Sequence, residues 1–208
     1  MRNSTPNRLK TYGLLLLLGL VLLVAVYDVQ LSQALRHDDG AGAFLALIGS
    51  WFGHGAVQMP LLALLCAAGY VFSRPRLVTA AFLAFSAFVS SGILAQLFKH
   101  LIGRPRPRLL DQGIDHFGPT LASGLDSFPS GHASTAVAVA VVLSFWYPKA
   151  TPIFMTAAAF ISASRVLGGS HFFIDILGGV CLGLIVGLSI GLNKRWRSKM
   201  DVRDTFAL

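Results

Sequence analysis

Phe172-Phe173-Ile174-Asp175-Ile176-Leu177-Gly178-Gly179-Val180-Cys181-Leu182-Gly183-Leu184-Ile185-Val186-Gly187-Leu188-Ser189-Ile190-Gly191-Leu192 carries one charged side chain, close to its start. A hydrocarbon layer about 30 Å thick is crossed by roughly 20 apolar residues in a helix. Backbone in lipid must satisfy its own hydrogen bonds, and a helix does so within one segment. The stretch therefore reads as a transmembrane helix. Gly179, Gly183, Gly187 and Gly191 recur every four residues and stack on one face, where small side chains let a neighbouring helix approach.

Five more apolar runs precede it, at about 12–31, 55–73, 77–98, 131–147 and 151–167. Pro148 and Pro152 stop the fourth of these and start the fifth. The chain is 54% hydrophobic and 12% charged, against about a quarter charged for a soluble domain. The expected fold is all-α, a six-transmembrane helical bundle. Its 208 residues form one integral membrane domain, with little length left for a second. Arg2, Arg8 and Lys10 followed by Leu14–Val26 resemble a signal peptide, but no small-x-small site follows at Tyr27-Asp28-Val29-Gln30, so a retained helix is expected. The segment Leu31–Gly53 mixes polar residues with Phe44, Leu45, Trp51 and Phe52 and suggests a short amphipathic helix lying in the interface.

A net charge of +8 raises the question of nucleic acid, but the basic residues sit between apolar runs, where they set topology or meet anionic lipid. No nucleic-acid partner is expected. With a cytoplasmic N-terminus, eleven of the 17 basic residues fall inside: Arg2, Arg8, Lys10, Arg74, Arg76, Lys149 and the five from Lys194 to Arg203. Both termini then face the cytoplasm. Lys99, Arg104, Arg106 and Arg108 break the trend by crowding the outer face, and an anionic ligand is the reason to look for. Cys66 and Cys181 lie inside apolar runs without a ligand partner at metal spacing, and read as packing residues.

The polar residues that carry chemistry fall in three stretches: Lys99 to Pro107, Pro129-Ser130-Gly131-His132, and Ser164 to Asp175. Counting crossings puts all three at one membrane face. Lys99, Arg106 and Arg165 supply three cations suited to a phosphate dianion. Ser130 and Gly131 open a helix whose free N–H groups can bind phosphate oxygens. His171 and Asp175, four apart, share a helical face. A carboxylate held on one imidazole nitrogen frees the other to attack, and His132 is a second imidazole placed to protonate a leaving oxygen. Each piece alone has a plainer reading: Ser130 as an N-cap, and Arg104, Arg106 and Arg108 as a lipid-headgroup patch. Asp175 resists one, because a carboxylate beside a span is costly. Leu109–Phe128, with Asp111, Asp115, His116 and Asp126, reads as a solvated lid.

At these positions the sequence resembles the PAP2 family, the type 2 phosphatidic acid phosphatases, whose fold is shared with vanadium haloperoxidases. The family signature K-x6-R-P, P-S-G-H and S-R-x5-H-x3-D is matched at Lys99, Arg106, Pro107, Pro129, Ser130, Gly131, His132, Ser164, Arg165, His171 and Asp175. The resemblance implies that His171 forms a phosphohistidine with Asp175 hydrogen-bonded to it, and that His132 is the general acid. It implies further that Lys99, Arg106, Ser130, Gly131 and Arg165 hold the phosphate. No metal and no other cofactor is implied. The implied partner is a lipid phosphate in a bacterial cytoplasmic membrane, met on the periplasmic or exterior face. Undecaprenyl diphosphate leads, ahead of phosphatidylglycerol phosphate, phosphatidic acid and the phosphates of lipid A. A lipid phosphotransferase would use the same histidine. A transporter would need polar residues deep in several spans, where this chain has Ala, Leu, Val, Phe and Gly.

Overall fold

The structure, a computed structural model, describes Thr11, Tyr12, Leu15, Gly19 and residues 22–110, 112–115 and 117–193. Part of the first apolar run, within residues 13–21, falls outside these, as do Asp111, His116 and the basic residues of both termini. Among the described residues the named elements are all helical: α1 (Asp28–Leu35), α2 (Gly40–Gly53), α3 (Gly55–Val71), α4 (Pro75–Ile102), the short α5 (Pro107–Leu110), α6 (Gly131–Trp146), α7 (Thr151–Leu167) and α8 (Phe173–Gly191).

The last five of the six expected spans correspond to α3, α4, α6, α7 and α8. By length and composition α4, α8 and the Pro148–Leu167 segment can each cross a membrane, and α2 with α3 can do so as one span bent by 51°. α6 is apolar but has only 16 residues, about 24 Å at 1.5 Å per residue. Prolines begin α4 and α7, where their missing N–H costs nothing.

α6 is the central helix and packs on α4, α7 and α8. One buried cluster joins Ala84, Ala87, Ala138, Val142 and Trp146. The glycine face of α8 lies against α6 within the chain. A Cβ at Gly179 would stand 2.5 Å from the Ser130 carbonyl oxygen, and one at Gly183 would stand 2.5 Å from that of Ser134. The sequence left open whether this face packs inside one chain or between two, and this close approach answers it. Gly183→Ala is expected to destabilise the bundle by about 1–3 kcal/mol, because its methyl meets backbone that cannot turn aside. A lowered melting temperature in detergent is the check.

The segment expected to lie in the interface is instead part of the bundle. α2 packs along α7, so closely that a Cβ at Gly49 would lie 2.5 Å from Ser164 Cβ. His54 in extended conformation separates α2 from α3, and its Nδ1 accepts from Ala56 N at 3.2 Å. Both cysteines are free thiols. Alternating helix direction brings the end of α4, the start of α6, the end of α7 and the start of α8 to one end of the bundle. The three polar stretches therefore meet there.

Candidate active site

The turn from α7 into α8 is closed by the Arg165 carbonyl, which accepts from Ser170 N and His171 N at 3.0 and 3.2 Å. Asp175 then falls in the first turn of α8, where its carboxylate caps the helix by accepting from Phe172 N at 2.9 Å. The same oxygen, Oδ2, accepts from Ser127 Oγ at 2.5 Å and faces His171 Nδ1 at 3.5 Å. Oδ1 accepts from Arg104 at 2.6 Å. The carboxylate is fully buried and both of its oxygens accept hydrogen bonds. The imidazole contact is longer than a full-strength hydrogen bond, as is common before substrate arrives. Burial pushes the His171 pKa below its ordinary 6.5; Asp175 pulls the other way, and the charges of Lys99 and Arg165 add to the lowering. At neutral pH the ring is uncharged, with Nδ1 toward Asp175 and its other nitrogen free.

Lys99 lies in the last turn of α4, 6% exposed. Gly103 ends that helix at φ +60°, and a Cβ there would strike the Gly118 carbonyl oxygen, so only glycine fits. The chain then runs through Arg104-Pro105-Arg106. Arg106 donates to both oxygens of Asp126, at 2.8 and 2.7 Å, and Lys99 Nζ stands 3.6 Å from the same carboxylate. Burial pushes the Asp126 pKa up, but Arg106 and Lys99 outweigh it and hold the carboxyl below its ordinary range. Arg165, in the last turn of α7, donates to Ser50 Oγ on α2, and its Nε is buried without a partner.

Ser130 is the N-cap of α6, as the plainer reading held, but its acceptance from Ala133 N is long at 3.5 Å. Its own N–H donates to the Asp175 carbonyl at 3.0 Å, which ties the start of α6 to the start of α8. Beside Gly131 there is open space, with nothing within 4 Å of where a Cβ would be. The His132 ring packs on Gly53 and faces the His54 ring at 6.2 Å between centroids.

Every expected residue is at this end of the bundle, and three unexpected ones connect them. Asp126 was expected in a solvated lid; it instead binds the two cations. Ser127, its neighbour, bonds Asp175 and lies 3.4 Å from His171 Nδ1. Asp28 of α1 is 3% exposed and ion-paired with Arg104 at 2.6 Å, so one guanidinium bridges two buried carboxylates. Asp28 also accepts from Ile174 N at 2.9 Å. Arg104 and Arg106 thus do different jobs. The spacing from Lys99 had separated them, but nothing in the sequence pointed to Asp28. Asp115 is exposed.

The family model described as PAP2 superfamily matches residues 79–198, more than half of the chain. The chain belongs to the PAP2 superfamily. A lipid A 1-phosphatase of Rhizobium johnstonii is 36% identical over 101 residues, 48% of this PAP2 chain and 41% of that protein. The match thus spans less than half of that relative. An undecaprenyl-diphosphatase of Sulfolobus acidocaldarius is 28% identical over 192 residues, 83% of this chain and 85% of that one. Among solved structures, Aquifex aeolicus LpxE superposes with a TM-score of 0.57 at 24% identity, covering 78% of this chain and 93% of that one. That likeness establishes the shared PAP2 fold.

Proposed function

We propose that this PAP2 chain is a lipid phosphatase working through a phosphohistidine. The observation that carries it is the meeting of the His171–Asp175 pair with the Lys99–Arg106 pair through the adjacent residues Asp126 and Ser127. Three remote stretches form one cradle with a nucleophile in it.

The free nitrogen of His171 attacks the terminal phosphorus, and the bond from that phosphorus to the oxygen on its lipid side breaks, releasing the lipid alcohol from a monoester or the lipid monophosphate from a diphosphate. His132 gives that oxygen its proton. Water, giving up a proton to His132, then attacks the phosphohistidine; the nitrogen–phosphorus bond breaks, inorganic phosphate leaves and both imidazoles are restored. Lys99, Arg106, Arg165 and the Gly131 N–H stabilise the charge on the transferring group, while the Ser130 N–H, bonded to the Asp175 carbonyl, fixes the start of α6 beside it. The buried Arg165 Nε, a donor without a partner in the described structure, is suited to a phosphate oxygen. The charge pattern supports cytoplasmic termini and a site on the periplasmic or exterior face of the membrane.

Undecaprenyl diphosphate is the leading substrate, supported by the relative that matches 83% of the chain. The test is phosphate release from undecaprenyl diphosphate, phosphatidylglycerol phosphate, phosphatidic acid and lipid A, each with and without chelator. Release that survives chelation is expected, fastest from the first; no release from any of the four refutes the proposal.

Two further results are expected. His171 must be neutral to attack, and its pKa lies below 6.5. The acid limb of kcat/KM should therefore fall below pH 6.5, with the rate held as pH rises from there to 7; a pH–rate series reads this. Asp126 offsets one positive charge at Lys99 and Arg106. Asp126→Asn is expected to bind inorganic phosphate several-fold more tightly, seen as a lower inhibition constant.

A further inference from the structure

The bend at His54 has a consequence on the bilayer side of the site. α3 packs mainly on α4 and stands off from α6 and α7. Between them lies an apolar groove of about 450 Å³. Its mouth is at Phe52, Gln58 and Ile161, and it runs down to Leu143 on α6 and Phe154 on α7. From Ile161 to Phe154 is seven residues, or ~10 Å at 1.5 Å rise. Ala136, Ala140 and Ala157 make the room, where larger side chains would fill it.

The mouth adjoins His132. A Cβ at Gly53 would lie 2.5 Å from His132 Cδ2 and 2.6 Å from Ile161 Cγ2, so the imidazole and the isoleucine at the mouth both lie against this glycine. Phosphoryl transfer keeps the attacking and leaving atoms roughly in line. With His171 attacking, the leaving oxygen is on the far side of phosphorus, toward His132. The lipid chain lies beyond that oxygen, attached directly in a monoester and through the inner phosphate in a diphosphate. It must leave the polar cradle on the His132 side, and the apolar surface there is this groove. A second apolar groove, between α7 and α8, opens instead at Leu35, Leu167 and Phe173, on the Asp175 side.

We propose that the α3–α6–α7 groove seats the first part of the hydrocarbon chain borne by the leaving group, a single acyl or prenyl chain; this rests on the phosphatase reading above. Charge and shape agree: the cations hold the headgroup at the bundle end, and the groove takes the apolar portion that follows it. The site thereby selects for a lipid over a soluble phosphate ester.

Ala157 is exposed on the groove wall, and Ala159, two residues on and also exposed, lines the other groove. Ala157→Phe fills the proposed seat and Ala159→Phe is its control. Both are assayed in detergent on whichever of the four lipids the wild-type protein turns over fastest, and on p-nitrophenyl phosphate. Ala157→Phe is expected to lose about tenfold or more in kcat/KM on the long-chain substrate, the effect of displacing a few buried methylenes, and to hold its rate on the short one. Ala159→Phe should hold both. Equal loss in the two variants, or no loss in Ala157→Phe, overturns the assignment. Should Ala157→Phe lose both substrates, Leu61→Trp on the opposite wall decides: chain-selective loss supports the groove, and anything else overturns it. Wild-type protein that releases phosphate from none of the four lipids would sink the phosphatase reading, and the groove with it. A groove failure alone leaves wild-type turnover intact.

Discussion

His171→Ala is expected to reduce phosphate release by at least about a thousandfold, the scale on which removing a covalent nucleophile acts. The neighbouring groups cannot replace it. Asp175 is fully buried with both oxygens engaged, and Ser127 Oγ donates to that carboxylate, which leaves it no free proton acceptor. His132 packs against Gly53 on the other side of the cradle. Asp175 holds the start of α8 through Phe172 N whether or not the imidazole is present, so the variant should stay folded, its melting temperature lowered only by the loss of one buried ring. A matched loss of activity and stability would point to a structural histidine.

Arg104→Met is expected to give the largest loss of stability among the cations. It strips the counter-ion from Asp28 and Asp175, which are 3% and 0% exposed, and leaves two carboxylates buried near one another. Breaking a buried pair by removing one partner costs roughly 3–5 kcal/mol. The guanidinium also stacks over the Phe172 ring at 4.4 Å, so packing is lost as well. Adding Asp28→Asn to Arg104→Met should restore part of the loss, since one uncompensated charge is then gone. Arg106→Met differs: its partner Asp126 is 28% exposed and can be solvated, so stability changes little while phosphate binding weakens. Thermal denaturation of the three variants in detergent separates the roles, and equal melting temperatures for Arg104→Met and Arg106→Met would contradict them.

The parts legible in the sequence are those set by local spacing. His171 and Asp175 are one helical turn apart, Ser130 opens a helix, and the four glycines of α8 mark a close-packed face; each follows from helix periodicity. The apolar runs gave the elements α3, α4, α6, α7 and α8 within a few residues. What escaped depends on tertiary contact. Asp28 reaches the site through a buried ion pair with Arg104, 76 positions away. Ser50 meets Arg165 across 115. Asp126 sits among acidic loop residues of the same type, and only the folded loop distinguishes it from exposed Asp115. α2 looked interfacial because its sequence mixes Gly and Ser with aromatics; those small residues are what let it lie against α7.

The central claim is that a phosphoryl group gripped by Lys99, Arg106 and Arg165 becomes bonded to His171. Rapid acid-free quenching of the protein with a ³²P-labelled lipid phosphate, followed by peptide mapping, tests it most directly. The expected result is an acid-labile, alkali-stable phosphopeptide bearing the label on His171, absent from His171→Ala. Label on another residue, or full turnover by His171→Ala, would contradict it.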